Sequence, residues 1–395
     1  MKILFLVGKQ TDYHPKKYTS RSAPKWMKEE LDNFEDFVDE DEEMVPSDVA
    51  MAMYLSYKHP KDEIDCMFGD KVKSTKVLNE YDVVYVIYDM TEVFNCGERK
   101  TCPIETKKLE RMLKATTAFV FPYPDYHKYI VDKPKYYADL KRANIPVVPF
   151  FRDTPTKVLS NVKAFREKIE KKGWEGVIIK PSYAGYSSGI KVFKHFSRTK
   201  DSTIKTSMQK LKKLGFPAFT VAEFVPTFGK HFEIRTYWIN GKYAYAVATL
   251  TEAVGKAGGL SVSDEDTFKS EGGKLPDALK TQLKASGREV IKALPQYQYG
   301  HPIMRIDFGC CIKTSKECEA SYFVNEVETM AANLLPEGTK FPVIEKVGNA
   351  LYTYAKKVKG KKNNPKSRKS KYKNPRSTCI KTKSRNIRFY LGNLL

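Results

Sequence analysis

The chain has 395 residues, 41% apolar and 12% aromatic, enough to bury the cores of two or three packed units and too apolar for a disordered chain. Its formal charge is +22, but the stretch 356–395 carries fifteen Lys and Arg and no Asp or Glu, which leaves +7 over the other 355 residues. A polyanion-binding signature is therefore confined to one end of the chain.

In chain order, "KILFLVG" reads as a short buried strand, and it is too short for a signal-peptide core or a membrane span. A polar stretch follows that includes the acidic run Glu29 to Glu43. "EYDVVYVIYDM" is a second strand, "IETKKLERMLKAT" has helical spacing and "AFVFP" is a third strand, so a small parallel sheet is expected. A helix from about Lys133 to Ala143 leads to "PVVPF", a second helix spans Lys157 to Lys171, and a hairpin runs from Gly176 to Phe193. A helix near Ser202 to Leu214 precedes "FTVAEFV", "FEIRTYWI" and "YAYAVATL", with Asn240 and Gly241 as a two-residue turn between the last two. A Gly- and Ser-rich stretch follows from Thr251 to Lys274. Helix Asp277 to Ala293, strands "IMRIDFG" and "YFVNEVE", and helix Val343 to Lys357 complete the folded part. Residues 356–395 cannot bury enough apolar surface to order themselves and read as a mobile basic arm.

Seven cysteines without CxxC spacing and six histidines without an HExxH pattern give no zinc signature. The expectation is a soluble intracellular protein with reduced thiols, cytoplasmic or nuclear, without a signal peptide or a membrane span. The arm could meet nucleic acid or an anionic surface, or serve as a nuclear address.

The most telling stretch is "GVIIKPSYAGYSSGIKVF". Lys180 stands at the mouth of a glycine-rich turn, and an ammonium beside free amide N–H groups suits phosphoryl oxygens. Neither GxxxxGK[ST] nor GxGxxG after a first strand is present. A protein-kinase reading of "VIIK" and "DFG" fails, because the glycines follow the lysine and no HRDxxxxN element precedes Asp307. Asp307 lies on one strand, and Glu326 and Glu328 alternate on another, so both glutamates face one side of a sheet. Three converging carboxylates need cations, and hard oxygen ligands suit magnesium. Together with Lys180 they describe a metal–ATP site.

At these residues the sequence resembles the ATP-grasp enzymes, in particular the amine–carboxylate ligases, over about Lys133 to Leu335. The resemblance rests on "VDKPKYYADLKRANIPVVPF", "IIKPSYAGYSSGIKVF", "VAEFVPTFGKHFEIRTYWINGKYAYAVATL", "RIDFG" and "FVNEVE", in that order. With the patterning above it gives an α/β (α+β) chain: strand and helix alternation make a small parallel α/β domain over 1–125, the resemblance implies two antiparallel-sheet subdomains clamping ATP over 126–225 and 226–355, and composition makes 356–395 a disordered basic tail. It implies that Lys133 and Lys180 hold phosphates, and that Ser182 to Gly189, with Ser187, Ser188 and Gly189, form a lid over them. Glu223, Phe224 and Val225 would clamp adenine, and Glu233 would lie near the ribose. Arg235 and Arg305 would serve catalysis together with Lys180, and Asp307, Glu326 and Glu328 would bind one or two magnesium ions, or manganese. The family often has Asn where this chain has Glu328, and "TMAANLLP" lacks the usual Pro-Gly turn.

The implied activity is ATP-dependent joining of a small-molecule or peptide carboxylate to an amine through an acyl phosphate. Two alternatives stay open: a small-molecule kinase of the inositol-phosphate type, and a non-enzymatic nucleic-acid-associated protein acting through its arm.

Overall fold

The computed structural model describes residues 1–7, 23–37, 45–87, 103–183, 189–225, 232–251, 262–263, 277–297, 300–310, 322–329, 334, 340–362 and 372–373. Three sheets of four or five strands organise them, beside one two-stranded pair. The first is parallel, with β1 (Lys2–Val7), β2 (Glu63–Phe68), β3 (Val83–Val86) and β4 (Phe119–Phe121) in the order β2-β1-β3-β4. The unbroken apolar run of β1 follows from burial on both faces: Ile3, Phe5 and Val7 enter the main core, while Leu4 and Leu6 enter a second one. Strand β2 and the helix Ser47–Lys58 lie within the stretch that sequence patterning reads only as polar. Eight consecutive residues of that helix, Asp48 to Leu55, are buried, so no apolar stripe marks it.

The second sheet is antiparallel, with β5 (Phe150–Asp153), β6 (Val177–Pro181), β7 (Lys191–Phe193) and β8 (Phe219–Glu223) in the order β5-β8-β6-β7. One face, with Val177, Ile179, Phe219 and Val221, packs on helices Pro155–Ser160, Val162–Glu170 and Asp201–Lys213 in a core of its own. The single helix expected over Lys157 to Lys171 is thus two, because Asn161 leaves the helical conformation and caps the second by accepting from Ala164 N.

The third sheet comprises β9 (Phe232–Ile239), β10 (Lys242–Thr251) and β11 (Val262–Ser263), then, after the helix Asp277–Ala293 and the short β12 (Gln296–Tyr297), β13 (Ile303–Cys310) and β14 (Tyr322–Glu328). Its order is β11-β10-β9-β13-β14, all antiparallel. Asn240 and Gly241 both have positive φ, 50° and 72°, as a tight β9–β10 hairpin requires.

The chain from Tyr126 to Val148 contributes Tyr126, Tyr136, Tyr137 and Leu140 to the core it shares with the third sheet, and Val147 bridges Val324. One expectation changes. The tail expected to be free from 356 begins as helix: Val343–Lys362 continues past Lys357 because Ala355 and Val358 are buried against the body, and Lys359 pairs with Asp82 at 2.8 Å. Farther on, β15 (Tyr372–Lys373) pairs with β12, and the remainder of 363–395 lies outside the described residues. No described helix is long and apolar enough to cross a membrane.

Packing of the third sheet is tight enough for a prediction. A Cβ on Gly287 would stand 2.1 Å from Trp238 Cζ2, and that ring is fixed by its Nε1–H bond to Thr236 Oγ1 at 3.0 Å. Gly287→Ala is expected to cost ~1–3 kcal/mol in urea denaturation. An unchanged midpoint would contradict this packing.

Candidate active site

The site forms where the inner face of the second sheet meets the third. Alternation on β6 puts Ile178 and Lys180 on the face opposite Val177 and Ile179, away from that sheet's own core. On the third sheet Asp307 pairs with both Arg235 and Glu326, and Arg305 pairs with Glu328. Period two therefore gathers Glu233, Arg235, Arg305, Asp307, Glu326 and Glu328 on one face of three adjacent strands. The opposite face, with Ile234, Ile306, Phe308, Val324 and Val327, joins the main core.

Side-chain contacts link these groups. Arg305 donates to both oxygens of Asp307, at 2.9 and 2.8 Å, and its Nη1 is 3.0 Å from Glu328 Oε2. Lys133, in the first turn of the helix Lys133–Arg142, is paired with Glu326. Lys180 Nζ donates to Asn325 Oδ1 at 2.9 Å, and Asn325 Nδ2 donates to Glu233 Oε1 at 2.9 Å. Arg235 Nη2 lies 3.6 Å from Glu233 Oε2. Lysines from two distant segments thus meet four carboxylates and two arginines from the third sheet.

Sequence reasoning missed Asn325. In a regular strand it would point opposite to Glu326, into the core. The ladder instead slips: Asp307 pairs with Glu326 but Phe308 pairs with Val324, which makes Asn325 the extra residue of a β-bulge. Tyr137 Oη donates to Asn325 O, and Val324 N donates to Pro146 O at 2.9 Å, fixing this irregular edge. Asp132 was missed as well. It accepts from Ser182 Oγ at 2.8 Å, while Tyr183 N bonds Val131 O, which anchors the root of the β6–β7 connection beside Lys133.

The other expected site residues have plain positions. Glu223 ends β8 and Phe224 and Val225 follow it, with Glu223 N bonded to Pro149 O and Phe224 N to Gly176 O, both at 3.0 Å. Gly189, at φ +73°, forms the far root of the β6–β7 connection, where a Cβ would stand 3.0 Å from Pro181 and Leu211. Ser187 and Ser188, and almost all of Thr251 to Lys274, lie outside the described residues.

Burial shapes the charge states. The Lys180 ammonium is pulled down to about 8, first by burial and then by the nearby Lys133 charge, and its direct partner Asn325 is neutral. Burial alone would lower Lys133 too, but the Glu326 carboxylate beside it holds it above the usual lysine range, and Lys133 in turn holds Glu326 low. Burial pushes Glu328 up to about 8.

Among the described residues no three His, Cys, Asp or Glu side chains converge as a ready-made metal site. Arg305 stands between Asp307 and Glu328, and Lys133 covers Glu326. The donor set is nonetheless all hard oxygen. Among the described residues Arg235 Nε is buried with no hydrogen-bond acceptor, while Glu328 Oε2 has the Arg305 guanidinium 3.0 Å away as its counter-ion. A buried donor without an acceptor beside hard-oxygen carboxylates fits a guest that brings an anion together with its cation. The expected triad is therefore together on one face, with its present counter-ions supplied by the protein.

Lys180 gives a pH prediction. Phosphate favours the charged ammonium, so affinity for magnesium-free nucleotide should be flat from pH 7 to 8 and fall by up to ~tenfold per unit above it, as binding must then take up a proton. Calorimetry at pH 9 in buffers of different ionisation enthalpy reads that uptake directly; affinity independent of pH from 7 to 9.5 would overturn it.

No protein-family model matches the chain, and comparison with curated proteins finds no relative by sequence. Solved structures do resemble it. D-cycloserine synthetase DcsG matches at TM-score 0.54 and 15% identity, over 90% of this chain and 99% of that one. D-alanine–D-alanine ligase from Bacillus anthracis matches at TM-score 0.52 and 16% identity, over 92% and 99%, and a structure of that enzyme complexed with ATP at TM-score 0.51 and 13% identity, over the same shares. A RimK domain protein, ATP-grasp, from Sphaerobacter thermophilus matches at TM-score 0.51 and 10% identity, over 89% and 99%. Likeness at such low identity speaks to architecture, and architecture is what the sequence motifs implied: the chain has the ATP-grasp fold.

Proposed function

We propose that this protein is an ATP- and magnesium-dependent ligase that joins a carboxylate to an amine, releasing ADP and phosphate. The observation that carries the reading is the buried meeting of Lys133 and Lys180 with Arg235, Arg305, Asp307, Glu326 and Glu328 between two antiparallel sheets. The fold supports it, since the similar solved structures include enzymes named as ligases and a synthetase.

In this reading Lys133 turns from Glu326 to phosphate oxygens, and Lys180, held by Asn325 through one N–H, offers its other donors to them. Asp307, Glu326 and Glu328 would hold magnesium, which when bound screens the charge of the β- and γ-phosphates against an incoming anion. A substrate carboxylate oxygen attacks the γ-phosphorus and ADP leaves. The amine nitrogen then attacks the acyl carbon of the acyl phosphate, inorganic phosphate departs with the acyl oxygen, and the nitrogen loses a proton. Arg235, whose Nε has no acceptor among the described residues, and Arg305 would stabilise the transferred phosphoryl group and the tetrahedral oxyanion.

The test is a screen of amino acids, short peptides and inositol phosphates with purified protein, ATP and magnesium. Equal release of ADP and phosphate together with an amide product is expected. ADP with a phosphorylated product and no free phosphate would replace the ligase by a kinase.

A further inference from the structure

We infer that Asn325 is a positioning residue: its side-chain amide, brought to the polar face by the β14 bulge, sets Lys180 of one sheet and Glu233 of the other for the nucleotide. The inference deepens the reading above and rests on it.

Chemistry dictates the amide's orientation. An ammonium needs an oxygen acceptor and a carboxylate needs an N–H donor, and a primary amide is the neutral side chain that offers both from one planar group. A carboxylate at 325 would grip Lys180 more strongly but repel Glu233, while an aliphatic side chain would leave both buried ions short of a partner. The neutral bridge aims the ammonium and leaves its charge uncompensated for phosphate.

The backbone that presents the amide is held independently. Tyr137 donates to Asn325 O from the helix whose first residue, Lys133, pairs with Glu326, and Pro146 O accepts from Val324 N on the same edge. One helix and one bulge therefore fix both lysine partners, Glu326 and Asn325, side by side. This gives a site-building purpose to an irregularity that otherwise costs a ladder position.

The experiment is a double-mutant cycle on the full chain, with affinity for the magnesium complex of a non-hydrolysable ATP analogue measured by calorimetry. Asn325→Leu is expected to weaken binding about tenfold in the parent and less than twofold in a Lys180→Met background, because its effect passes through Lys180. Asn325→Asp, isosteric and able to fold where leucine is not tolerated, should also lose about tenfold, and Asn325→Gln should recover part of the loss. Unchanged affinity of Asn325→Leu and Asn325→Asp, or the same loss in both backgrounds, would overturn the inference while leaving the nucleotide site standing. A parent chain that does not bind the analogue would instead overturn the nucleotide reading.

Discussion

Lys180→Met is expected to lower ATP-dependent ADP release at least ~100-fold while leaving the fold as stable as the parent or slightly more so. The first half follows from the task assigned to the ammonium. A positioned cation facing developing phosphoryl charge in a site closed to water contributes ~3 kcal/mol of barrier lowering, which is about a hundredfold in rate. The second half follows from what Lys180 costs the fold. It is only 9% exposed, its direct partner is a neutral amide, and its pKa is about 8 against 10.5 for a free lysine. A lysine whose folded-state pKa is depressed destabilises the fold below that pKa, and the penalty is relieved as pH rises from about 8 toward 10.5. The depression corresponds to roughly 3 kcal/mol at neutral pH, and removing the charge recovers it less ~1 kcal/mol for the Asn325 oxygen left without a donor. Lost turnover with retained stability is the mark of a group kept for chemistry. Turnover within threefold of the parent, or a drop in melting temperature that accounts for the loss, would sink the assignment.

Much of this arrangement was readable because it depends on period. On β14 alternation puts Glu326 and Glu328 on one face, so the two could be paired before the strand's neighbours were known, while Asp307 was joined to them by the chemistry of clustered carboxylates and Arg235 by the motif resemblance; the register of β9, β13 and β14 brings all four together. The β9–β10 turn was readable because Asn-Gly tolerates the positive φ angles that a tight hairpin needs. What escaped is what period cannot encode. The helix Ser47–Lys58 is enclosed along eight consecutive residues and shows no stripe. Asn325 reaches the site through a one-residue slip, which reverses the face that alternation assigns it. The start of the basic arm is helical because Val358 finds a buried place on the body, a tertiary contact that charge composition conceals. The present partners of the carboxylates were also hidden: sequence marks Asp307, Glu326 and Glu328 as needing cations, and the fold supplies Arg305 and Lys133.

Arg305→Met should be the most damaging single change to the fold, costing ~3–5 kcal/mol in urea denaturation as well as abolishing turnover. Its guanidinium donates twice to Asp307, which is 1% exposed, and also faces Glu328, so its loss strands one carboxylate fully buried and a second largely so. Burial already pushes Glu328 upward with Arg305 in place, and the next contributors after that arginine are its neighbours Glu326 and Asp307, both of which raise it further. Without the guanidinium the three acidic groups of β13–β14 would keep one direct ion pair among the described residues, Lys133 with Glu326, and Asp307 and Glu328 would have only the more distant Lys180, Arg235 and Lys133 charges. Arg305→Lys keeps a charge but not the planar fork that meets both Asp307 oxygens, so it should recover only part of the stability. The discriminating construction adds Asp307→Asn to Arg305→Met. If the loss comes from an uncompensated buried carboxylate, the double variant should be at least ~1 kcal/mol more stable than Arg305→Met alone, although it has lost two native side chains. A double variant weaker than either single change would mean that Arg305 supports the fold through its packing and not through its charge.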